Sequence, residues 1–151
     1  MFITKAINQI LSNTTKSKQM KEYMMIFRNE KNEGGEMPSA EQMQAVVKQW
    51  QNWIGGIAAQ GKYSGTNRLL PEGKTIKPNK VITDGPYVEG KEMIGGYLIV
   101  KANSLDEAVE MAKSCPNLTY GGNVEIRNVM PIEYDTGSEN FLQEKSQLSK
   151  V

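Results

Sequence analysis

Short apolar runs alternate along the chain with apolar stripes of helical period. Glu22 to Arg28 reads as a first strand with Tyr23, Met25 and Phe27 on one side and Met24 and Ile26 on the other. A polar, glycine-containing loop follows from Asn29 to Pro38. Ser39 with Gln42 forms a capping box, and Met43, Val46, Val47, Trp50, Trp53, Ile54 and Ile57 then recur at steps of three and four. That stripe predicts a helix facing a core, weakened at Gly55-Gly56 and closed near Gly61. Asn67 to Leu70 and Lys80 to Thr83 read as short strands, separated by a turn at Pro71 to Lys74. Gly96 to Lys101 is the clearest strand, apolar on both sides. Ser104 and Glu107 make a second capping box for a helix with Leu105, Ala108, Val109 and Ala112 on one stripe, ended by Pro116. Gly121-Gly122 then turns into a last strand, Asn123 to Met130.

This order is the split βαβ pattern of a ferredoxin-like α+β fold, an antiparallel sheet with two helices on one face. A single sheet of that kind, wet on its other face, shows strict apolar–polar alternation. Here Tyr23, Met25 and Phe27 oppose Met24 and Ile26, and Tyr97 and Ile99 oppose Leu98 and Val100. Both sides call for cover, and two helices can cover one. The simplest second cover is another copy of the chain, because symmetric homodimers are the commonest oligomers. The alternative is the N-terminal arm, residues 1–20, where Ile3, Ala6, Ile7, Ile10 and Leu11 recur at helical spacing. The folded domain is expected over residues 21–132, with a polar tail over 133–151.

The 151-residue length suits one core. A net charge of +1, from 18 basic against 17 acidic residues, leaves no electrostatic footprint for direct nucleic-acid binding. The cluster Lys16, Lys18, Lys21 is short and local. The sequence contains no histidine and one cysteine, Cys115. That removes imidazole catalysis, histidine-ligated zinc and an internal disulfide, and leaves acid–base work to carboxylates, Lys, Tyr or water. Neither a membrane-spanning run nor a signal peptide is apparent, so a cytoplasmic, reducing setting is expected. No glycine pair has nucleotide-binding spacing, and no cofactor is expected.

One stretch carries a resemblance. Asp84-Gly85-Pro86-Tyr87 leads into Glu89, Lys91-Glu92 and Gly95-Gly96-Tyr97, then Ser104-Leu105-Asp106-Glu107-Ala108, Ala112-Lys113, Cys115-Pro116, Gly121-Gly122 and Val124-Glu125-Ile126-Arg127. This collinear set, about a third of the chain, resembles the YCII-related family in its DGPF branch. The resemblance implies a dimeric α/β barrel, a pocket between sheet and loops near Asp84, and an association with transcription through sigma-factor partners. It implies no reaction. Tyr87 stands where the branch usually has Phe, and Asn128 where Pro usually follows the strand arginine. The histidines proposed as catalytic in other branches have no counterpart.

Several residues carry candidate chemistry. Asp84 precedes Gly-Pro, so it either shapes an Asx-turn or serves as a general acid or base. Glu92 belongs to a charged loop with Glu89 and Lys91; turned inward, it would pair with Asp84 and raise one carboxyl pKa. Glu125 and Arg127 share one face of the last strand, either as a surface ion pair or as an arginine gripping an anion in a pocket. Arg28, at the end of the first strand, can serve in the same way. Tyr87 and Tyr97 read as core or rim aromatics, and stand with Arg28, Glu92, Glu125 and Arg127 as candidate ligand-binding residues. Cys115 reads as structural, at a helix C-terminus. The expected function is a small-ligand-binding or accessory homodimer with a small anionic ligand and a transcription-related protein partner. The alternative is a cofactor-independent lyase, isomerase or hydrolase using Asp84.

Overall fold

The structure, a computed structural model, describes residues 19–30 and 37–133. The expected N-terminal helix, most of the lysine cluster and the polar tail beyond Glu133 lie outside the described residues. Strand β1 (Lys21–Glu30) runs at the centre of an antiparallel sheet. It is flanked by β6 (Glu92–Ala102) on one side and β7 (Asn123–Asn128) on the other. Outside β6 lies β2 (Tyr63–Arg68), so the order is β2-β6-β1-β7, with the two-residue β5 (Val88–Glu89) also pairing β6. Counting only the four long strands, this is the 4-1-3-2 order of a ferredoxin-like α+β fold. Helix α1 (Ala40–Ala59) joins β1 to β2, and α2 (Leu105–Ala112) with the short α3 (Pro116–Thr119) joins β6 to β7.

The two-sided alternation sorts as the sequence implies. Tyr23, Met25 and Phe27 share the helix-covered face with Leu98, Val100 and Ala102 and are buried. Ile57, Ala108, Ala112 and Cys115 close the core from the helix side. Phe27, Trp50 and Trp53 meet edge to face, with centroids 5.0 to 6.1 Å apart, and Trp53 Nε1 donates to Met111 O at 3.0 Å. These contacts bind α1 to both the sheet and α2 and satisfy the one polar atom of a partly buried indole.

Four local expectations change. Helix α1 begins at its capping box on Ser39, but Met43 and Val47 stay about half exposed, so only the later part of the stripe reaches the core. Strand β2 lies at Tyr63–Arg68 rather than at Asn67 to Leu70, because the hydrogen-bond ladder to β6 recruits a Gly- and Asn-containing segment of poor intrinsic strand propensity. Leu69 and Leu70 are left exposed beyond it. Ser104 Oγ accepts from Glu107 N at 3.1 Å, but Glu107 returns its carboxylate to Asn103 and Lys62, so the second capping box is half formed. Pro116, expected to mark an end, instead opens α3 at a position where its missing N–H is harmless.

Between β2 and β6 the chain makes an excursion. Strands β3 (Lys74–Ile76) and β4 (Ile82–Asp84) pair only with each other among the described strands. Among the described residues no helix is long and apolar enough to cross a membrane.

Candidate functional site

The sheet face that is helix-free among the described residues is where polar chemistry and apolar surface meet. Register places Met24 beside Ile99 and Arg127, and Ile26 beside Tyr97 and Glu125. Met24, Ile26, Tyr97 and Ile99 are half-buried although no described helix lies over them. At the end of this row, Arg28 sits opposite Asn123 and reaches diagonally to Glu125, with Nη1 2.6 Å from Oε2. Arg127 Nε approaches the other oxygen of the same carboxylate at 4.0 Å. One carboxylate is therefore flanked by two guanidinium groups, with side-chain exposures of 29% for Arg28, 41% for Glu125 and 71% for Arg127. On the far side of the row, Asn67 Nδ2 donates to Tyr97 Oη at 2.8 Å, leaving the phenol proton free to be donated elsewhere.

The strand positions behind this geometry are held from below. Asn117 is buried, and its Nδ2 donates to Arg28 O at 3.2 Å and Asn123 O at 2.9 Å, tying the ends of β1 and β7 to α3. Gly122 N returns a bond to Asn117 O at 3.0 Å. No feature of the local sequence marks Asn117 for this role; only the meeting of three elements reveals it. A β-bulge at Gly95 of β6, opposite the step from Phe27 to Arg28, bends β6 there, while β1 keeps an unbroken register with β7.

Other sequence candidates lie elsewhere. Asp84 ends β4 on the hairpin, its side chain 91% exposed, with Oδ1 3.0 Å from Lys74 Nζ. That is a solvent-facing surface ion pair. The shallow depression beside it is lined by Pro71, Glu72, Gly73, Lys74 and Gly85. Tyr87 is also strongly exposed. Glu92 opens β6 and accepts from Asn123 Nδ2 at 3.1 Å, so the expected pairing of Glu92 with Asp84 is absent. The structure thus brings together Arg28, Glu125, Arg127 and Tyr97 on one face, with Glu92 at its end, and leaves Asp84 and Tyr87 outside.

Cys115 needs a correction of setting. It is the N-cap of α3, not the end of a helix. Burial nevertheless pushes its thiol up to about 11, against the opposing hydrogen bonds from Asn117 and Leu118. Desolvation wins over the helix terminus, and the thiol stays protonated at neutral pH. Among the described residues no group of three His, Cys, Asp or Glu side chains is placed to hold a metal ion.

A comparison with known families matches residues 20–133 to the YCII-related domain. The chain belongs to the YCII-related domain family. The match spans the described fold from the start of β1 to past β7, so the helix-free face and the β3–β4 hairpin both lie within the domain. No curated protein matches this YCII-related chain.

Proposed function

We propose that this YCII-related domain is a homodimer formed through its helix-free sheet faces, binding a small anionic ligand at the Arg28–Glu125–Arg127 end. It would act as a ligand-binding or accessory module. One observation carries the reading: Met24, Ile26, Tyr97 and Ile99 form a continuous apolar strip beside a partly buried ion pair, on a face that no described helix covers. Sheets packed face to face sit about 10 Å apart with interdigitating side chains, which suits a strip of this width. Enclosure would lower the dielectric around the two arginines and strengthen their hold on a carboxylate or phosphate group. Glu125 would then act as the internal anion that an incoming ligand displaces. A catalytic reading through Asp84 draws no support from a solvent-facing carboxylate paired with lysine.

Sedimentation equilibrium of the full chain tests the dimer. The wild type is expected to be a dimer and Ile26→Glu a folded monomer by circular dichroism. A wild type that remains monomeric across the concentration series removes the reading.

A further inference from the structure

The β3–β4 hairpin carries an apolar surface that stays exposed among the described residues. Ile76 and Ile82 stand directly opposite each other and are 72% and 59% exposed. On the same face, one pair further, lies the Lys74–Asp84 ion pair. The opposite face is occupied internally: Thr75 Oγ1 donates to Gly85 O, and Thr83 Oγ1 to Thr75 O. An exposed pair of β-branched side chains on a two-stranded ribbon is unfavourable in isolation, since such ribbons are marginal without a packed face.

The hairpin tip is strained in a way that preserves charge. Lys80 N donates to Lys77 O at 3.1 Å, closing a turn around Pro78 and Asn79. Asn79 takes a left-handed conformation at φ 69, as suits Asn in such a turn. Lys80 follows with φ 61, where glycine would be relaxed and lysine costs about 1–2 kcal/mol. The tip therefore carries Lys80 at the expense of turn geometry, beside Lys77 in relaxed extended backbone.

At the end of the main sheet, charge is arranged with the opposite sign. Glu30, Glu92 and Glu89 stand side by side across β1, β6 and β5. Like charges directly opposite destabilise a ladder. Among the described residues no cation forms an ion pair with any of the three.

We propose that the hairpin is an arm that clasps a second copy of this chain, with Ile76 and Ile82 against the partner's body and Lys77 and Lys80 at its acidic row. This rests on the dimer reading above and specifies a further part of its contact. Two arguments favour a second copy over an unrelated protein. The apolar strip of the open face is narrow, whereas stable interfaces bury about 1,200–2,000 Å² in total, so an additional contact at the same partner is needed. The lysine tip and the glutamate row are complementary surfaces on one chain, and two-fold symmetry would satisfy both twice.

The test uses the full chain in sedimentation equilibrium, with circular dichroism as a fold control. Ile76→Thr/Ile82→Thr keeps strand propensity and is expected to weaken the dimer about tenfold or more, a shift of roughly 1.4 kcal/mol. Lys77→Glu/Lys80→Glu, at exposed positions, is expected to weaken it too. Mixing that protein with a Glu89→Lys/Glu92→Lys protein should restore association as a heterodimer. An unchanged dimer constant in the isoleucine variant overturns the clasp and leaves the open-face dimer standing. Failure of the mixture to associate overturns the contact between tip and row. A dimer that survives Ile26→Glu but is lost in the hairpin variant upholds the clasp against the open-face reading, and a monomeric wild type overturns both.

Discussion

Arg28 and Glu125 meet across non-adjacent register positions of β1 and β7, 2.6 Å apart on the face that no described helix covers. The diagonal reach places the guanidinium between the apolar strip and the end of the sheet. A pair this exposed contributes under about 1 kcal/mol to folding, so stability alone gives little reason to keep it. On the ligand-binding reading proposed above, the pair presents an arginine already neutralised and ready to exchange one carboxylate for another.

The first prediction follows from that exchange. Glu125→Gln is expected to lower the melting temperature slightly while increasing the thermal stabilisation produced by inorganic phosphate or acetate. Arg28→Met should remove most of that anion response. Equal responses in wild type and both variants would assign anion binding elsewhere.

Two glycine substitutions should move stability in opposite directions. A Cβ on Gly122 would clash with Asn29 Oδ1, Asn117 Nδ2 and Arg28 O. Gly122→Ala must therefore push apart the node that joins β1, α3 and β7, with a loss of about 1–3 kcal/mol. Gly55 lies inside α1 with nothing within 4 Å of a built Cβ. Gly55→Ala should stabilise by about 0.5–1 kcal/mol, through helix propensity and a less flexible unfolded chain. Urea titrations of the two variants check both signs.

These positions also show what the sequence could reveal. The opposed sets Tyr23–Met25–Phe27 and Met24–Ile26 made the central strand and its two-sided character legible, because side-chain period alone sorts a strand's faces. The cap at Ser39 was legible because its chemistry is local. Strand β2 is hard to place from sequence because it exists through pairing with β6, not through its own propensity. Arg28 and Glu125 were each visible as candidates, but their sequence separation hides the pair until the register is known. Asn117 had no local signal, and Asp84 had a strong one that leads to an exposed hairpin.

The Cys115 thiol should be inert in the native protein. Burial raises it to about 11, far above the solution pH of a thiol assay near neutrality. Iodoacetamide should leave the folded chain unmodified for hours and label it rapidly in urea, as mass spectrometry would show. Fast labelling of the native state would mean that the core beneath α3 opens readily.

Acid should weaken the start of α2 through Glu107. Its carboxylate meets Lys62 Nζ at 2.7 Å and accepts from Asn103 Nδ2 at 3.0 Å. The Lys62 ammonium beside the carboxylate is the largest influence holding its pKa below the usual 4.5, partly opposed by desolvation. A carboxyl group with a lowered folded-state pKa binds its proton more weakly when folded than when unfolded. Its stabilisation is therefore fully present above the unfolded value and is lost as pH falls through the lower, folded one. Because both side chains keep contact with solvent, the loss should be small, at most about 1 kcal/mol. The urea midpoint should fall as pH drops below the ordinary carboxylate range. In Lys62→Met the midpoint should be lower near neutrality and less dependent on pH across that window. If the two proteins show parallel pH curves, the acid sensitivity belongs to other carboxylates, and the tie between the residue before β2 and α2 contributes packing alone.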